Sequence, residues 1–116
     1  MKHLSIALAG AALIASASLS QAADLAAGKA VWEKLNCASC HGADAKSAVD
    51  PAYPILAGQH ADYLEHALIA YQRGAGAANG RGNAIMGGMA KPLSKTDVKN
   101  ISAYLASLPG ALVVRK

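Results

Sequence analysis

Phenylalanine is absent from this chain of 116 residues, and the other aromatics amount to one Trp and four Tyr. A chain this short holds one domain, and a small domain without large aromatic side chains buries little surface on its own. The hydrophobic share of 53% does not change this, because alanine supplies much of it. Such a core needs a staple from elsewhere. Cysteine is nearly absent too, with Cys37 and Cys40 as the complete set, so no framework of several disulfides is available. Period-2 alternation of apolar and polar residues is missing, which excludes a sheet protein and leaves an all-α chain. No run of Lys or Arg occurs, and a formal charge of +4 is too small and too scattered to indicate nucleic acid as partner. No apolar stretch reaches the roughly 20 residues of a membrane span.

The longest uncharged stretch, Leu4 to Leu19, follows a short basic start at Lys2 and His3. It precedes Ser20-Gln21-Ala22, the small-residue ending of a secretory signal. Residues 1–22 are therefore expected to be a cleaved leader, with the cut between Ala22 and Ala23 and residues 23–116 forming the domain. Export to the periplasm follows from it, without stable membrane insertion of the mature chain. No cysteine at the cut suggests a lipid anchor, and no twin-arginine pair suggests export in folded form.

Three helices follow from spacing and caps. Asp24 caps one running to about Leu35, with Leu25, Gly28, Trp32 and Leu35 on one face. A second runs from His60 or Ala61 to Arg73, presenting Leu64, Ala67, Leu68 and Tyr71, with Gly74 at its stop. Ser94 with Asp97 forms a capping box for a third, which presents Val98, Ile101, Tyr104, Leu105 and Leu108 before Pro109-Gly110. Residues 42–58 and the Gly-rich residues 74–90 read as loops.

Between the first helix and the first loop stands Cys37-Ala38-Ser39-Cys40-His41. A CxxCH run is the attachment signature of a c-type haem. Its two thiols reach the two vinyl groups on one edge of the porphyrin, and the adjoining imidazole presents a nitrogen to the iron. The competing readings are a thioredoxin-type redox pair, a zinc site of Cys37 and Cys40 with two of His41, His60 and His66, and a plain disulfide. Only haem accounts for His41, the export signal and the aromatic-poor core together. The other side of the iron would fall to Met86, Met89, His60 or His66. A methionine thioether there is a soft ligand that raises the potential, and Met86 and Met89 flank Gly87-Gly88 in a loop otherwise nearly bare of large apolar groups.

In these pieces the chain resembles a class I cytochrome c, close to the single domains of small bacterial periplasmic cytochromes, the two-domain dihaem kind included. The resemblance covers the mature chain: Gly28 with Trp32, Cys37 to Gly42, Tyr53-Pro54-Ile55-Leu56-Ala57-Gly58-Gln59, Tyr63-Leu64, Met86 to Met89, Pro92-Leu93-Ser94, and Ile101 to Tyr104. It implies an all-α fold of three main helices and long loops around one covalently bound haem c. It further implies Cys37 and Cys40 as thioether anchors, and His41 and Met86 as axial iron ligands with Met89 packing nearby. Pro54 would offer its carbonyl to His41, and Gly28 with Trp32 would pack on the last helix against Ile101 and Tyr104. Tyr53, Tyr71, Asn79, Arg81 and Asn83 are candidates for the haem carboxylates, and Lys46 and Lys91 for a docking surface. With both axial positions filled, such a protein is no enzyme. It shuttles single electrons between redox proteins, such as a membrane cytochrome complex, a terminal oxidase or a dehydrogenase. Membership of a larger periplasmic oxidoreductase complex is the alternative, and an open-site haem enzyme or sensor a more distant one.

Overall fold

A computed structural model describes residues 22–111; the expected leader falls outside the described residues but for Ala22. The described chain forms five helices: α1 (Leu25–Lys34), α2 (Ala38–His41), α3 (Ala61–Arg73), α4 (Ala84–Ala90) and α5 (Lys95–Ser107). Among the described residues no strand occurs. The three long helices are the three expected, and their caps explain their bounds. Asp24 accepts the Ala27 amide at the start of α1. At α5, the Ser94 hydroxyl and the Asp97 carboxylate satisfy each other's backbone amides. Gly74, at φ +78°, closes α3.

Helix α1 packs across α5, and the contact is set by what Gly28 lacks. A Cβ there would collide with the Asn100 carbonyl oxygen and stand 2.8 Å from Tyr104 Cβ. The same crossing is tied at its end, where the Asp24 amide donates to Asn100 Oδ1 at 2.9 Å. Trp32, Leu64, Ile101 and Leu105 form the core with Ala45 and Ala57. Gly28 and Trp32 thus do the packing expected of them. Leu25, expected on the same face, is 47% exposed instead, because the chain enters α1 at the edge of the crossing.

The stretch 74–90 is not one loop. Its last seven residues are α4, capped by Asn83, whose Oδ1 accepts the Met86 amide at 2.9 Å. Two adjacent glycines and a length below three turns erase the 3.6-residue signal there. Gln72 of α3 holds the far end of α4: its Nε2 donates to the Ala90 and Leu93 carbonyls at 2.9 and 2.8 Å. Nothing in the sequence pattern marked Gln72 for this.

Candidate haem site

The five helices leave a cleft of about 950 Å³, its open mouth included, whose walls come from α1, α3, α4, α5 and the Pro54 segment. Trp32, Leu64, Leu68, Ile101 and Leu105 make the walls mostly apolar. Among the described residues no Asp or Glu lines them.

His41 enters from the end of α2. The ring is 5% exposed, flanked by Trp32 at 6.3 Å and Tyr53 at 6.1 Å between ring centroids. Its Nδ1 lies 3.0 Å from the Pro54 carbonyl oxygen. A carbonyl only accepts, so Nδ1 carries the hydrogen, and Nε2 is left with its lone pair. A hydrogen bond of this kind fixes the tautomer and makes the free nitrogen a better donor to a metal. Gly42, at φ +83°, lets the chain turn away immediately after His41; a Cβ there would strike the Ser47 carbonyl.

Cys37 lines the cleft, and Cys40, one turn along, is half-buried. They form no disulfide. Burial pushes the Cys37 thiol above its ordinary value. A thioredoxin-type nucleophile needs the opposite shift, and the strand that would feed such a site is missing among the described residues. No cluster of three or more His, Cys, Asp and Glu side chains able to hold a metal ion occurs among them either. The disulfide, redox-pair and zinc readings all lose their footing.

Across the cleft, α4 presents both Met86 and Met89. They stand three residues apart on one helix, hence on one face. His60 and His66 are exposed and line no part of the cleft. Of the polar residues considered for haem carboxylates, Arg81 and Tyr71 line the cleft. Tyr53 lies beside the His41 ring, Asn83 spends its side chain on capping α4, and Asn79 is an exposed turn residue at φ +56°. Tyr63 shares the mouth with Arg81. Its place three residues after His60, at the start of α3, could have marked it.

An imidazole with a free Nε2, two thioethers, a thiol and an apolar cleft suit a haem held through sulfur and nitrogen. Comparisons with known proteins agree. The family model for cytochrome c matches residues 25–109. Cytochrome c-554(548) of Halomonas halodenitrificans is 41% identical, over 74% of this chain and 98% of that protein. The thiosulfate dehydrogenase electron acceptor of Thiomonas intermedia is 40% identical, over 66% of this chain and 33% of its own length. The crystal structure of reduced cytochrome c4 from Pseudomonas stutzeri superposes with a TM-score of 0.67 at 37% identity, covering 78% of this chain and 48% of that one. The chain belongs to the cytochrome c family: it is an electron carrier with the class I cytochrome c fold, and it carries haem c.

Proposed function

We propose that this cytochrome is a periplasmic one-electron carrier whose haem iron is held by His41 and Met86, with Cys37 and Cys40 as the covalent anchors and residues 23–116 as the mature domain. The observation that carries the reading is the pairing of His41 Nδ1 with the Pro54 carbonyl while thioethers line the same cleft. When bound, haem c supplies an iron that takes up and gives up one electron. The chain's residues do the rest. Pro54 keeps the imidazole in one tautomer and orientation. The apolar walls keep water away, which disfavours the extra charge of the oxidised state and raises the potential. With both axial positions filled, a substrate has no site on the iron, which favours a carrier over an enzyme. Among the described residues no helix is long and apolar enough to cross a membrane.

Met86 is preferred over Met89 because it precedes Pro92-Leu93-Ser94 by the interval seen in the class I cytochromes it resembles. The test is a pair of variants. Met86→Ala should abolish the thioether-to-ferric-iron charge-transfer band and open the reduced protein to carbon monoxide. Met89→Ala should keep the band. Exchange of these outcomes would assign the ligand to Met89. Rapid carbon monoxide binding by the unmodified reduced protein would point to an open-site enzyme or sensor.

A second reading rests on one comparison. The similarity to an electron acceptor of thiosulfate dehydrogenase favours a dehydrogenase as the electron donor, in a lasting complex or in passing. Co-purification of a dehydrogenase with the tagged cytochrome would support the complex.

A further inference from the structure

Helix α4 has little to hold it together. It is seven residues long, contains Gly87-Gly88, and follows Gly82. Each glycine disfavours a helix relative to alanine, and so short a helix is not stable alone. Its position must come from anchors at its two ends. Gln72 secures the end. The anchor at the beginning is more elaborate.

The Ala70 carbonyl of α3 accepts two amides: that of Gly74 at 3.2 Å, which closes the helix, and that of Arg81 at 2.9 Å. The Gly-rich segment 74–81 therefore leaves and returns at one oxygen. Inside it, Ala77 donates to the Gly74 carbonyl at 3.3 Å and Gly80 to the Ala77 carbonyl at 3.0 Å. Gly80 leaves no room for a Cβ, which would run into the Gly74 carbonyl. The loop delivers Arg81 to α3 in a fixed place. There its guanidinium carbon lies 5.6 Å from the ring centroids of both Tyr63 and Tyr71, and Nη2 is 3.4 Å from the Tyr63 hydroxyl. A broad, planar guanidinium can meet two aromatic rings at once, where the compact ammonium of lysine is a single point charge. Asn83, the α4 cap, follows two residues on.

We propose that Arg81 is a positioning residue: held between Tyr63 and Tyr71, it latches the lead-in of α4 to α3 and so keeps the methionine of α4 at the haem iron. This rests on the reading that α4 supplies the sixth ligand, and it holds for either methionine. The latch acts through cation–π contact of one guanidinium with two rings, which the narrower ammonium of lysine does not reach together.

The test uses the ferric holoprotein. Cyanide at saturating concentration binds at the rate at which the methionine leaves. Arg81→Lys keeps the charge and loses the broad guanidinium that meets both rings, and Tyr63→Leu removes one ring. Both should speed cyanide binding, Arg81→Lys by roughly tenfold if both ring contacts are lost. Tyr63→Phe keeps the ring and should stay within about twofold. Amide hydrogen exchange supplies the second readout: the Arg81 and Gly87 amides should lose protection in Arg81→Lys while the α1 and α5 amides keep theirs. If Arg81→Lys matches the parent in both readouts and Arg81→Gln alone is fast, Arg81 acts by charge and the latch is overturned. The two readings fail separately. Loss of the sixth-ligand reading shows as a charge-transfer band that survives both Met86→Ala and Met89→Ala, whereas loss of the latch shows as unchanged exchange at Arg81.

Discussion

Gly28 and Ser102 are small residues in the α1–α5 pair, and changing each to alanine should have opposite effects. At Gly28 the added methyl meets backbone, the Asn100 carbonyl, which cannot move without shifting α5. Alanine gains about 1 kcal/mol of helix propensity, but overpacking a well-packed contact costs about 1–3 kcal/mol and more against backbone. The clash wins, and Gly28→Ala should lower the urea midpoint by the equivalent of about 2 kcal/mol. Ser102 is fully buried, and its hydroxyl has no hydrogen-bond partner. An unsatisfied buried polar group costs about 1–3 kcal/mol, so Ser102→Ala should raise the midpoint, by about 1 kcal/mol. Circular dichroism of both holoproteins in urea checks the pair. An unchanged Gly28→Ala midpoint would mean that the helices are free to separate, and a lowered Ser102→Ala midpoint would mean that the hydroxyl is bonded. The first effect was legible in the sequence, since a glycine four residues before the lone Trp, on one helix face, marks a close crossing. The second was not, because whether a hydroxyl finds a partner depends on packing from distant segments.

Among the elements, the turn after His41 links the proximal side of the site to solvent pH. Asp44 accepts the Lys46 amide at 3.0 Å and both the hydroxyl and the amide of Ser47 at 2.7 Å. These bonds, the Lys46 amide foremost, lower its carboxyl from 3.8 to about 2. The folded value lies below the unfolded one, so the turn's contribution is complete above pH ~4 and is lost as pH falls through about 2. The turn also carries Ala45, fully buried at φ +57°, whose carbonyl accepts the Leu56 and Ala57 amides at 2.8 and 3.0 Å. Acid should therefore loosen the segment that bears Pro54. The Ser47 amide resonance should titrate with a midpoint of about 2, and in Asp44→Ala this titration should vanish. A midpoint at the ordinary carboxylate value would mean that the turn does not hold Asp44 in solution. Legibility at this scale followed the caps. Asp24 and the Ser94–Asp97 box announced α1 and α5 because those signals are local in sequence. Helix α4 escaped because its signal is one Asn cap followed by glycines, and because what holds it is tertiary: Gln72 lies on α3, and the groups that Arg81 meets, Tyr63 and Tyr71, lie there too.

For the whole molecule, core and cofactor site are the same surface. Trp32, Leu64, Ile101 and Leu105 belong to the buried core and also line the cleft. The absence of Phe made a staple necessary, and the cleft is where it fits. A core filled partly by a cofactor is fully stable only with the cofactor in place. Without it, four of the largest apolar side chains of the domain border a cleft that neighbours as small as Ala45 and Ala57 cannot fill. Helices α2 and α4 add little of their own, since α4 is short and glycine-rich and α2 is a single turn. The exported variant Cys37→Ala/Cys40→Ala cannot anchor haem through thioethers. Freed of any loosely bound haem, it should lose most of its helical circular dichroism at 25 °C and unfold in urea without a cooperative transition. Retention of a sharp transition would mean that the aromatic-poor core folds unaided, and that the cleft is a preformed receptacle. The parent holoprotein serves as the reference, and its difference from the variant measures how much of the fold the cofactor sustains.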